Sequence, residues 1–369
     1  MASFDFDPSI RVVHAPGGLS GVGERLQDFS STCVLIVSDP GVARAGLADR
    51  ARASITSTGI DARIFSDVSE NPTAADIDAG IAIAKLGAPI DAIVAVGGGS
   101  AMDCAKGINF LLTNGGRIED YWGFGKATEP MLPSIGIPTT AGTGSEAQSY
   151  ALISQAETHI KMACGDRKAR FKTVILDPEL IGSAPESVKA AAGYDAIAHA
   201  VESYVCKKAN PVSRMYAREA FRLLDTSLEA FVCDDAGARP GDVLVGAHFA
   251  GMAIEASMLG AAHACANPLT AQYETTHGVA VGVMLPAVVA FNFQGKPELY
   301  DGLCEYRDLP GRLRALRSSV GLPGRLQDIG VQESDIPNLA GAASQQWTGT
   351  FNPRTIDIDA CKVLYELSF

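Results

Sequence analysis

A parallel α/β domain followed by an all-helical domain is the fold class predicted by the 369-residue sequence. Through the first half, short β-branched runs alternate with helical stretches, the pattern of buried parallel strands and their crossover helices. In the second half the strand signals stop, and long Ala-, Leu- and Met-rich segments with helical spacing take over. The length also favours two cores, since domains commonly stay under about 200 residues. The change of period divides the chain into domains 1–183 and 184–369.

The expected strands are Arg11–His14, Val34–Ser38, Ala62–Phe65, Ile90–Val96, Ser134–Ile137 and Thr173–Leu176. A hairpin is expected to interrupt this series, with arms Tyr150–Ser154 and His159–Cys164 turning through Gln155–Thr158. A capping box of Ser183 and Glu186 is expected to open the helical half.

Composition narrows the partners. With 47% hydrophobic and 20% charged residues, the chain reads as an ordinary globular protein. A formal net charge of −12 repels polyphosphate, so nucleic acid and anionic membranes are not expected partners. Eight cysteines without a CxxC pair fit reduced, mostly buried thiols and a cytoplasmic location. The opening MASFDFDPSIRVV lacks the basic and apolar regions of a secretory signal. The most apolar long stretch, 256–273, carries His263, Asn267, Pro268 and Gln272, which argues against a membrane span.

Two loops are candidates for a phosphate-bearing ligand. The strand Ile90–Val96 runs into Gly97-Gly-Gly-Ser100 and then a helix, so that glycines permit close backbone approach and the helix N-terminus favours an anion. It is neither a GxGxxG fingerprint, with Met102 at the third glycine position, nor a Walker loop, with Lys106 inside the helix. A tight strand-to-helix turn without a ligand has the same local pattern. The second loop, Pro138-Thr-Thr-Ala-Gly-Thr-Gly-Ser-Glu146, offers hydroxyls and amides after another strand. Asp39, directly after Val34–Ser38, could accept from ribose hydroxyls and repel a 2′-phosphate, or could simply be a turn residue in Ser-Asp-Pro-Gly.

In the helical half, Asp195 and His199 are i and i+4, which puts both on one helix face one turn apart. A structural helix pair would look the same in isolation. His263 and His277 follow in equally apolar surroundings; Pro268 between them is expected to separate two helical segments, the second capped by Thr275 or Thr276. One carboxylate and three imidazoles suit a divalent transition metal with a position left for substrate. His248, within Val-Gly-Ala-His-Phe-Ala, reads as a core histidine.

Taken together, Gly97-Gly-Gly-Ser-Ala-Met-Asp-Cys-Ala-Lys106, Pro138–Glu146, Gly193-Tyr-Asp-Ala-Ile-Ala-His-Ala-Val-Glu202 and His277-Gly-Val-Ala280 resemble the iron-containing (group III) alcohol dehydrogenase family in order and spacing. The similarity extends to Asn352-Pro-Arg354 and the final helix. It implies a Rossmann-like nucleotide-binding domain plus an all-α domain, the dehydroquinate synthase-like arrangement. It implies metal ligation by Asp195, His199, His263 and His277, with Fe(II) as the metal and Zn(II) also acceptable to the same donors. It implies NAD, with NADP less favoured, contacted at Gly98, Gly99, Ser100, Thr139, Thr140 and Lys161 and on the adenosine side at Asp39 and Asn71. The implied reaction is reversible hydride transfer with a small alcohol or aldehyde, in a homodimer. The resemblance also admits a metal-independent reductase of the maleylacetate reductase kind and a dinucleotide-binding homologue without catalysis. A dehydroquinate-synthase-like lyase would need basic residues around a polar substrate, and residues 243–291 contain no Lys or Arg. One position departs from the family pattern: Asn267 stands where many members have a second histidine assigned to proton relay, and an amide does not titrate near neutral pH.

Overall fold

The computed structural model describes residues 4–158, 160–294 and 296–369. The chain forms two compact units, one of residues 8–140 and 145–182, the other of 4–7, 141–144 and 183–369.

The first unit is a six-stranded parallel sheet flanked by helices. In chain order its elements are β1 (Arg11–His14), α1 (Val22–Gln27), β2 (Cys33–Ser38), α2 (Pro40–Arg44), α3 (Leu47–Thr56), β3 (Asp61–Phe65), α4 (Ala74–Ala84), β4 (Ala92–Gly97), α5 (Gly99–Asn114), β5 (Gly123–Phe124), β6 (Ser134–Pro138), β7 (Tyr150–Ser154), β8 (Lys161–Gly165) and β9 (Thr173–Leu176). The sheet runs β1-β9-β6-β4-β2-β3. Its inner strands β2 and β4 are buried along their whole length. That explains why they read as unbroken apolar runs and not as alternating ones, since helices cover both faces of a parallel sheet. Chain direction across the sheet reverses between β2 and β4: β3 lies on one side of β2, and β4 and β6 on the other. Such a switch point is where open α/β sheets bind ligands, beyond the carboxyl ends of the strands.

The hairpin is present but does not join this sheet. β7 and β8 pair antiparallel, and with β5 they make a separate three-stranded sheet ordered β5-β8-β7. His159, at the expected start of the second arm, lies outside the described residues.

The second unit is helical: α6 (Glu186–Val205), α7 (Pro211–Val232), α8 (Pro240–Glu255), α9 (Ala261–Tyr273), α10 (His277–Phe293), α11 (Leu309–Ser319), α12 (Ile336–Ser344) and α13 (Ile358–Ser368), with short 3-10 turns between them. The α6 helix is its buried centre, and Tyr194 at 0% exposure donates its hydroxyl to the Leu313 carbonyl at 2.8 Å. Two sequence expectations are corrected here. The first is the capping box: Pro185 occupies the N-cap of α6 with no side-chain cap, which leaves Ser183 two residues too early to cap. The second concerns Pro268, which lies inside α9 and does not end it; the break before α10 falls later, at Glu274, whose φ is +51°. Thr276 does take the N-cap of α10, without a side-chain cap bond.

Pro286, inside α10, removes the amide that would bond the Gly282 carbonyl four residues back. Arg317 on α11 takes its place, donating from Nη1 to Gly282 O at 3.3 Å and Val283 O at 3.4 Å. The buried arginine thus repairs a defect in the helix that begins at His277. Among the described residues, no helix is long and apolar enough to cross a membrane.

Candidate metal centre and nucleotide loops

Three neighbouring strands deliver the candidate nucleotide residues to one sheet edge. Pairing of Ser38 with Val96 and of Gly97 with Pro138 puts Asp39, Gly98 and Thr139 side by side, each just beyond its strand. Gly98 is the N-cap of the 16-residue α5 and no side chain caps it, so the positive end of a long helix is presented to this edge. A Cβ on Gly98 would come 3.2 Å from the Thr140 hydroxyl, and one on Gly97 would come 3.1 Å from Asp39 Oδ2 and 2.6 Å from the Ala101 Cβ. The glycines therefore keep open a cradle bounded by Asp39 and Thr140. Asp39 also caps α2, its Oδ1 accepting from the Gly41 and Val42 amides at 2.9 and 3.0 Å. The turn role thus falls on Oδ1, and Oδ2 is the oxygen on the side of the cradle.

Asn71 adopts φ +54° and donates its amide to Ser100 Oγ at 3.3 Å, which joins it to the glycine loop. Thr139 donates its amide to Gly97 O at 3.0 Å. Lys161 is half-buried on β8. Lys106, one turn beyond the loop and 2% exposed, donates to the Ser145 carbonyl at 2.7 Å and the Tyr150 carbonyl at 2.7 Å. It braces α5 against these two carbonyls.

In the helical unit, Asp195, His263 and His277 each offer a ligand atom within 4.8 Å of the others. His199 completes the set: its Nε2 lies 3.5 Å from Asp195 Oδ1, and its ring stacks on His263 with centroids 4.8 Å apart. Asp195, His199 and His263 are 3–5% exposed, whereas His277 at the start of α10 is half-buried. Close backbone packing brings His277 in, because a Cβ on Gly278 would lie 2.1 Å from the Ala191 carbonyl of α6.

These donors fit a metal ion. Asp195 Oδ1 and His263 Nε2 are buried without a hydrogen-bond partner, a costly state for polar atoms packed among apolar helices. The 3.4 Å between His263 Nε2 and Asp195 Oδ1 is longer than a good hydrogen bond and consistent with two ligands facing one ion. Burial alone would raise the Asp195 carboxyl, but the His199 charge and the neighbouring imidazoles hold it well below the usual carboxylate range. Burial pushes His199 down to about 4 against the pull of Asp195. For His263 burial also acts downward, yet the carboxylates of Asp195 and Glu202 prevail and raise it to about 9.

The sequence motif contained one residue to which no role had been given. Glu202 Oε2 lies 2.6 Å from His263 Nδ1, and the carboxylate also accepts from the Gly260 and Ala262 amides at 3.1 and 2.6 Å. The signal was available, because positions 195, 199 and 202 repeat at i, i+4 and i+7 on one helix face. Asn267 lies one turn beyond His263 and donates to Gln346 Oε1 at 3.0 Å.

Comparison with known proteins follows the same division. Residues 8–178 match "Iron-containing alcohol dehydrogenase" and residues 189–369 match "Fe-containing alcohol dehydrogenase family, C-terminal". Alcohol dehydrogenase 4 of Schizosaccharomyces pombe is 36% identical over 93% of this chain and 83% of its own. The NAD-dependent methanol dehydrogenase of Bacillus methanolicus is 32% identical over 93% of each chain. A crystal structure of 1,3-propanediol oxidoreductase superimposes over 100% of both chains with a TM-score of 0.93 at 31% identity. The chain belongs to the iron-containing alcohol dehydrogenase family, and its activity is oxidoreduction at CH–OH donors.

Proposed function

We propose that this protein catalyses reversible hydride transfer between NAD(H) and a small alcohol or aldehyde, with Fe(II) held by Asp195, His199, His263 and His277. The observation that carries it is the convergence of one carboxylate and three imidazoles, with the ligand atoms Asp195 Oδ1 and His263 Nε2 buried without a hydrogen-bond partner. When bound, the ion polarises the substrate oxygen and the nicotinamide gives or takes the hydride.

The chain's own residues have separable tasks. Gly98, Gly99 and Ser100 present the α5 N-terminus to a pyrophosphate, Thr139, Thr140 and Lys161 hold the cofactor beside it, and Asn71 supports Ser100. Asp39 accepts from an adenosine ribose and repels a 2′-phosphate, which favours NAD over NADP. Asn267 is committed to Gln346 and carries no titratable proton, so the alcohol proton leaves without a side-chain relay at this position. The complete donor set speaks against the metal-independent reductase. Cytoplasmic location is supported by free thiols, six of the eight being buried; a homodimer rests on the family resemblance alone.

The reaction is tested by initial rates with a panel of short-chain aldehydes and either NADH or NADPH. Turnover with NADH in preference to NADPH is the expected result, and no turnover with any member would leave only a non-catalytic homologue. The raised His263 imidazole adds a second expectation. At pH 7.5 it is charged in the metal-free protein, whereas His199 is neutral and Asp195 ionised. Binding through His263 Nε2 must displace its proton, so metal uptake should release about one proton, measurable by calorimetry in buffers of different ionisation enthalpy. Affinity should rise roughly tenfold per pH unit until pH 9 and then level off; a pH-independent affinity between pH 7 and 9 would contradict the assignment. In the metal-free protein the sign reverses for stability: the His263 contribution is complete below its unfolded pKa of about 6.5 and is lost as pH rises through 9.

A further inference from the structure

We propose that Glu202 is the positioning residue that turns His263 into a ligand, with Asn352 bracing the same helix end; the proposal rests on the metal-site reading above. The N-terminus of α9 begins at Gly260, which has no side chain with which to cap it. Glu202 supplies the cap from α6, accepting from the Gly260 and Ala262 amides, and a Cβ at 260 would crowd the two capping groups, at 2.9 Å from Glu202 Oε1 and 3.1 Å from Asn352 Oδ1. The carboxylate is 3% exposed and is thus held in one orientation by backbone donors before it meets the imidazole.

A carboxylate so engaged can only accept, so His263 Nδ1, 2.6 Å away, must keep its proton and donate it. Nε2, facing Asp195 Oδ1 at 3.4 Å, is then the nitrogen whose lone pair becomes available when a metal displaces its proton. A metal-ligating histidine commonly gives its other N–H to a carboxylate, which fixes the tautomer and strengthens the donor. Here the fixing group shares a helix with Asp195 and His199 and caps the helix that carries His263.

The Asn352-Pro-Arg354 segment, a sequence motif without an assigned task, closes the assembly. Asn352 Oδ1 accepts from the Ala261 amide at 3.3 Å, its Nδ2 donates to Asn292 Oδ1 at 2.9 Å, and Arg354 stacks on Phe291 with its guanidinium carbon 3.6 Å from the ring centre. Residues 292 and 291 lie near the end of α10, whose first residue is His277. The C-terminal segment therefore ties together α9 and α10, which supply two of the three imidazoles.

The experiment compares metal-free wild type with Glu202→Gln, titrating Zn(II) against a chromophoric chelator and recording the melting temperature of each metal-free protein separately. A glutamine places an NH₂ in the cluster that cannot accept from either the imidazole or an amide. The expected result is a 10- to 100-fold loss of Zn(II) affinity. Wild-type affinity in Glu202→Gln, with only the melting temperature lowered, would overturn the proposal by reducing Glu202 to a helix cap. Should the variant not fold, ¹⁵N-histidine NMR of Zn(II)-loaded wild type decides, with resonances assigned through His263→Gln. Zinc on Nε2 and a slowly exchanging proton on Nδ1 are expected, and zinc on Nδ1 would refute the proposal. Failure of wild type to take up Zn(II) at all would instead refute the metal site itself.

Discussion

Replacing His263 by alanine is expected to abolish stoichiometric metal binding and to lower NADH-dependent aldehyde reduction by at least about 10³-fold, while NADH affinity stays within about twofold. The separation follows from the placement of the residues. His263 is buried in the helical unit among Asp195, His199 and His277, whereas the glycine loop is built by β4 and α5 of the α/β unit. Its loss leaves Glu202 without an imidazole to orient and Asp195 Oδ1 without its neighbour at 3.4 Å. Elemental analysis, turnover and fluorescence titration of NADH together test this. A variant that keeps one equivalent of metal and its turnover would contradict the assignment.

Gly98→Val should give the opposite pattern, with metal content retained and NADH affinity lost by about 100-fold, a misplacement of the kind that costs about two orders of magnitude elsewhere. Gly98 has φ −80°, which any residue adopts, so the substitution does not strain the backbone. Its Cβ would lie 3.2 Å from the Thr140 hydroxyl, and the two methyl groups beyond it would fill the cradle. Gly97 would be a poorer choice, because a side chain there meets Ala101 at 2.6 Å and tests folding instead. Unchanged NADH affinity in Gly98→Val, measured on folded protein, would exclude this loop as the pyrophosphate site.

Much of this was legible in the sequence because its causes are local. The fully buried β2 and β4 announce themselves as unbroken apolar runs, and the Asp195–His199 spacing survives into the structure because i and i+4 share a face on any α-helix. What escaped depends on distant partners. Local pairing of Tyr150–Ser154 with the following strand was readable, but that the pair would join Gly123–Phe124 in a second sheet was not. Ser183 and Glu186 have the spacing of a capping box, yet Pro185 takes the cap position. Pro268 looked like a helix breaker and is carried within α9, where tertiary packing outweighs its local preference. Glu202 was hidden in plain view, since its function depends on two backbone amides some sixty positions away.

The central claim is that a metal held by the Asp195–His199–His263–His277 set is required for hydride transfer between NAD(H) and a small aldehyde. The most direct measurement strips the purified protein of metal under anaerobic conditions, verifies its removal by elemental analysis, and follows NADH oxidation with a responsive aldehyde before and after one equivalent of Fe(II) is returned. Negligible turnover in the stripped protein and recovery in proportion to bound iron are expected; full turnover in protein verified to be metal-free would contradict the account.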